Sequence, residues 1–218
     1  MNPQNAVNRA LDVPFVLDQL ERLNADQDSR LNGAMDLQRV GIAGHSFGAW
    51  SAMAAGGMTL GGRRGVDYSD DRVRCMIPLS PPVVSRERLY EITYGSLDVP
   101  ALFMTGTLDT SAINTTTAEQ RLIPYRTMPG PGDDGQPKYQ INFDGADHMT
   151  FSGETNLNQR IRQADPATEP VFHGLILQST TAFLDAYLLG DEDALEWLNG
   201  GGFAAAVGEH GTVEMEAE

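Results

Sequence analysis

A single cysteine, Cys75, leaves the chain unable to form an internal disulfide, so any small disulfide-stapled scaffold is excluded. Its setting, Val73-Arg74-Cys75-Met76-Ile77, reads as a buried structural thiol. Lysine is nearly absent: Lys138 is the only one among 15 basic residues, against 30 acidic residues and a net charge of −15. Nucleic-acid and anionic membrane surfaces need clustered Lys and Arg, so the charge argues against nucleic acid and disfavours anionic membranes. No run of 18 or more apolar residues exists, which excludes a membrane-spanning helix. Cysteine pairs, H-E-x-x-H and a P-loop are missing too, so no metal site or phosphate cradle is expected and no cofactor is assigned. Asp67, Asp70 and Asp71 form an acidic cluster that reads as a solvated loop. The N-terminus has no basic, apolar leader, which predicts a cytoplasmic protein if the chain is whole; export stays open if a segment precedes Met1.

What is present fits one α/β domain. Hydrophobic residues make up 41% of the 218, enough for a sizeable core. Val13, Val16, Leu17, Leu20 and Leu23 fall at helical spacing, with Asp12 as N-cap and Pro14 in the first turn. Short apolar runs predict strands over 40–43, 73–79, 99–104 and 139–143. The small residues Ala49, Ala52, Ala54 and Ala55 predict a helix lying close to a sheet, stopped by Gly56-Gly57, with Gly61-Gly62 in the connection behind it. Phe172, Leu175, Ile176, Phe183, Leu184 and Tyr187 mark an amphipathic helix ended by Gly190, and Asp191 caps a shorter one through Leu198. The expected organisation is one α/β domain over 1–199 and a flexible acidic tail over 200–218. Strands alternating with helices predict a mostly parallel sheet flanked by helices, with chemistry beyond the carboxyl ends of the strands.

The segment Gly44-His45-Ser46-Phe47-Gly48 sits directly behind the first strand. It matches the G-x-S-x-G nucleophile elbow, in which a sharp strand-to-helix turn lifts the serine hydroxyl out of the sheet. Gly44 and Gly48 are expected because a side chain at either would clash across the turn. The Phe47 N–H is the expected oxyanion donor. A serine nucleophile needs a base, and the base an orienting acid, in the chain order Ser, Asp, His. Asp109 follows the third strand and His148 the fourth, so both fall on the sheet edge that carries Ser46. His45 reads as a packing neighbour, and Asp147 ranks below Asp109 because it adjoins His148. Asp98 precedes its strand, Asp144 fixes the histidine loop, His173 is structural and His210 lies in the tail.

Gly44-His45-Ser46-Phe47-Gly48-Ala49, Gly106-Thr107-Leu108-Asp109 and Gly145-Ala146-Asp147-His148-Met149-Thr150-Phe151 resemble the α/β-hydrolase serine esterases. Within them the nearest group is the dienelactone hydrolase-like one, related to platelet-activating-factor acetylhydrolases and more distantly to cutinase-like polyesterases. The resemblance runs from about Arg9 to about Leu198. It implies hydrolysis of a small-molecule or lipid-like ester through an acyl-enzyme, without cofactor. Dienelactone hydrolases proper use cysteine, so Ser46 argues against that exact activity. The resemblance also implies several strands ahead of the elbow strand, one with a loop giving a second oxyanion N–H. Only 39 residues precede Val40, and they read as one helix and a loop. The expectation is therefore an α/β-hydrolase fold short of its N-terminal part, with an exposed sheet edge open to self-association. Two alternatives stay beside the esterase: an inactive hydrolase fragment or interaction module, and an acyltransferase using the same residues.

Overall fold

The computed structural model describes residues 3–61, 65–111, 115–153 and 162–217. A five-stranded sheet forms its centre, in the order β1 (Val40–His45), β2 (Val73–Leu79), β3 (Ala101–Leu108), β4 (Lys138–Asp147) and β5 (Gly211–Glu216). The first three pairings are parallel and β4–β5 is antiparallel. The class is therefore α/β with a mostly parallel sheet, as the alternation of strands and helices predicts.

Both faces of the sheet are covered, which is why β2 and β3 read as nearly continuous apolar runs, whereas β4 alternates Tyr139, Ile141 and Phe143 with the polar Gln140 and Asn142. Cys75, Ile77, Leu102, Met104, Tyr139, Ile141 and Phe143 point to one face. There they meet Phe172 and Phe183 of α5 (Glu169–Leu184), Leu198 of α6 (Glu192–Asn199) and Phe203 of α7 (Gly202–Val207). The intervening Met76, Ala101 and Phe103 point to the other face. Their partners include Ala10 of α1 (Pro3–Ala25), Met53 and Ala54 of α2 (Phe47–Ala55), Tyr94 of α3 (Tyr90–Tyr94) and Tyr125 of α4 (Ile123–Thr127). Burial pushes the Cys75 thiol up to about 12, as suits an inert core residue.

Two expectations change. Helix α1 begins at Pro3, so Asp12 is an interior residue rather than an N-cap, and Pro14 lies inside the helix. The early start is supported by Ala10, which is 1% exposed against the α2 side of the sheet. The stretch expected as a flexible tail carries α7 and β5 instead. Phe203 and Val207 are buried in the core, and β5 pairs with β4 from Lys138↔Glu216 to Phe143↔Gly211. The connection at Gly61-Gly62 is only half visible: Gly61 has φ +88°, and Gly62 lies outside the described residues. Asp191 does cap α6, accepting from the Ala194 N–H, and α5 continues through a π turn to Gly190 in the left-handed region.

Strand β1 forms one edge of the sheet and is half-exposed along its length. Beside it, a groove of about 360 Å3 runs between β1 and α1, lined by Val13, Val16, Leu17, Ile42, Gly48 and Ser51 among others. Among the described residues, no helix is long and apolar enough to cross a membrane.

Candidate active site

Three of the four parallel strands each deliver a sequence-predicted polar residue at the carboxyl end. Ser46 follows β1, Asp109 follows β3 and His148 follows β4. The turn at Ser46 is enforced sterically. Its backbone takes φ 56° and ψ −114°, which L-residues avoid. A Cβ at residue 44 would come within 2.3 Å of the Gly48 backbone, so glycine is required there. The same reasoning does not extend to Gly48: a Cβ at that position would meet nothing within 4 Å. The clash is one-sided because residue 44 faces the turn, whereas Gly48 borders the open groove beside β1.

The three residues meet. Ser46 Oγ lies 2.9 Å from His148 Nε2, and His148 Nδ1 lies 2.9 Å from Asp109 Oδ1. Asp109 is fully buried; its other oxygen accepts from Thr105 Oγ1 at 2.9 Å. Phe47 opens α2, so its N–H belongs to the first turn, where helical N–H groups have no carbonyl of their own helix to bond.

The histidine loop is held from several sides. Asp147 accepts from the backbone N–H groups of Met149, Thr150, Gln163 and Ala164. Burial would raise its carboxyl, but those four donors outweigh it and hold the group below the usual carboxylate range. Asp144 accepts from Thr107 Oγ1, which itself accepts from the Gly145 N–H, and this ties the end of β3 to the loop. His45 lies 4.7 Å ring to ring from His148. Burial first, and the nearby His148 second, lower its pKa to about 4. A neutral His45 can then donate from Nε2 to the His148 carbonyl, 2.9 Å away. His173 Nε2 reaches the Thr150 carbonyl, also at this loop, whereas Asp98 bonds Gln136 ahead of β3. His210 lies in the turn before β5.

Two residues here carry no sequence signal of their own. Ser80, just past β2, has φ 52°, and its Oγ sits 2.6 Å from His148 Nδ1. Arg121 is 2% exposed; it lies 2.8 Å from Asp109 Oδ1 and 3.2 Å from His148 Nδ1. Burial pulls the Arg121 guanidinium below its ordinary value, with the Asp109 charge opposing that pull.

Two members of the acidic cluster have local partners. Asp70 pairs with Arg72 at 2.6 Å, and Asp67 accepts from the Ser69 N–H. Among the described residues no group of His, Cys, Asp and Glu is arranged to hold a metal ion.

A serine hydroxyl on a neutral imidazole, itself held by a buried carboxylate, is suited to nucleophilic attack on a carbonyl carbon. No protein-family model and no curated protein matches the chain, so its chemistry has to be argued from this geometry.

Proposed function

We propose that this protein is a serine hydrolase that cleaves carboxylic esters through an acyl-enzyme. The observation that carries the reading is the chain Asp109–His148–Ser46, with both links at 2.9 Å, at the ends of parallel strands. Its resemblance to dienelactone hydrolase-like and acetylhydrolase-like serine esterases supports the same class.

In the proposed reaction the ester carbonyl lies over Ser46 Oγ. As the Oγ–C bond forms, His148 Nε2 takes the hydroxyl proton and the carbonyl oxygen becomes an oxyanion beside the Phe47 N–H. His148 then protonates the departing alkoxide as the ester C–O bond breaks, leaving acyl-Ser46 and an imidazole again neutral. Water, deprotonated by the same nitrogen, attacks the acyl carbon, and collapse of the second tetrahedral intermediate returns the proton to Ser46. Throughout, Asp109 accepts from Nδ1, fixing the tautomer and stabilising the transient imidazolium.

The test is labelling with a fluorophosphonate, alongside hydrolysis of a short p-nitrophenyl ester. The parent is expected to label at Ser46 and to hydrolyse the ester. Ser46→Ala should abolish labelling, and His148→Ala should lower kcat by about 1,000-fold or more. Labelling of Ser46→Ala equal to the parent would sink the reading. A folded parent that neither labels nor hydrolyses would favour the inactive-fragment alternative. Product analysis with a competing alcohol separates hydrolysis from acyl transfer.

A further inference from the structure

The Nδ1 edge of His148 is more crowded than its role requires. A base that accepts from Ser46 at Nε2 carries its hydrogen on Nδ1, and that hydrogen has two acceptors, Asp109 Oδ1 at 2.9 Å and Ser80 Oγ at 2.6 Å. The third neighbour is a cation. Arg121 Nη2 lies 3.2 Å from Nδ1, and both atoms then bear hydrogen, so the contact is a charge beside the ring rather than a hydrogen bond.

The rest of the guanidinium is anchored. Nε donates to the Asp109 carbonyl at 2.8 Å and also lies 2.8 Å from Oδ1 of the same residue. Nη1 donates to the Ser80 and Pro81 carbonyls at 3.0 and 2.9 Å. One side chain thus joins the loop after β2, the residue after β3 and the histidine after β4. A buried cation in that position does two electrostatic things. It offsets part of the charge of the carboxylate that stabilises the imidazolium, and it opposes a positive charge on the ring directly.

We propose that Arg121 is a positioning residue of this site that holds Asp109 and sets a buried positive charge against the Nδ1 edge of His148. The role rests on the esterase reading for its consequence in catalysis, but not for its effect on the ring. The other groups facing His148 do not supply that charge. His45, from β1, is neutral above about pH 4; Ser80 is uncharged; and Asp147 directs its carboxylate to backbone N–H groups.

The experiment is an NMR titration of the His148 ring, assigned by loss of its signals in His148→Gln, with the pH profile of kcat/KM for p-nitrophenyl acetate. Arg121→Gln should raise the His148 midpoint by about one pH unit or more and carry the acid limb of the profile with it, an effect of about tenfold on the acid side. Arg121→Lys, which keeps the charge but not the fork, should recover most of the shift. If Arg121→Gln does not fold, the charge-neutral pair Asp109→Asn with Arg121→Gln should still titrate above Asp109→Asn alone. A folded variant with an unmoved midpoint overturns the inference and leaves Arg121 as scaffold. A moved midpoint in a parent that hydrolyses no ester overturns the esterase reading and leaves the charge coupling standing.

Discussion

His45 is the residue whose charge state the fold decides most clearly, and its linkage to stability has a definite sign. Its folded pKa, about 4, lies below the ordinary value of 6.5. Between those values the unfolded chain binds a proton that the folded chain does not, so stability is full above pH 6.5 and falls as pH drops towards 4. Urea titrations across this window should lose up to about 3 kcal/mol from this group, and His45→Gln should flatten that part of the curve. At this scale the sequence was partly legible. Ser46, Asp109 and His148 stand out because each follows an apolar run in the order the elbow demands. Arg121 does not, because nothing in Glu119-Gln120-Arg121-Leu122 distinguishes a buried cation from a surface one. Ser80 is equally silent, since a serine ahead of Pro81-Pro82 does not announce a φ of 52°.

Among the elements, one buried side chain ties β4 to α4 and to the end of β5. Lys138 is 3% exposed; its Nζ donates to the Tyr125 and Met128 carbonyls at 3.2 and 2.7 Å and pairs with Glu216 at 3.1 Å. The ammonium also lies 4.9 Å from the Tyr125 ring centre. Lys138→Met would strand two carbonyls and release the end of β5. An unfolding free energy lower by about 2–4 kcal/mol is expected in chemical denaturation, with faster hydrogen exchange in Gly211–Glu216. Strands β2 and β3 were legible because burial on both faces makes them nearly continuous apolar runs, and β1 and β4 because each carries a short stretch of apolar residues bounded by polar or turn residues. Strand β5 was not: of its six residues only Gly211 and Val213 are better than exposed, and its alternating acids read as a tail. The start of α1 was missed for a related reason, since a single buried alanine at residue 10 leaves no periodic stripe.

For the molecule as a whole, the asymmetry of the sheet matters most. One edge is closed by β5, which carries two glutamates, and the other is β1, apolar and half-exposed. Next to β1, helix α1 presents Leu11 at 51% exposure and Phe15 at 61%, four residues apart on one face. We expect such a patch beside an open strand to favour self-association against the repulsion of a net charge of −15. Sedimentation velocity in rising salt should therefore show larger species as the repulsion is screened. Leu11→Glu with Phe15→Glu should suppress them while changing unfolding free energy by no more than about 0.5 kcal/mol per site.

The lone lysine also gives the folded protein an unusual chemical surface. An amine-directed reagent meets a single side-chain ammonium in the whole sequence, and that one is folded away beneath α4 and the end of β5. Acylation of Lys138 is thus a clock on the opening of the β4–β5 seam, built into the chain without any added label.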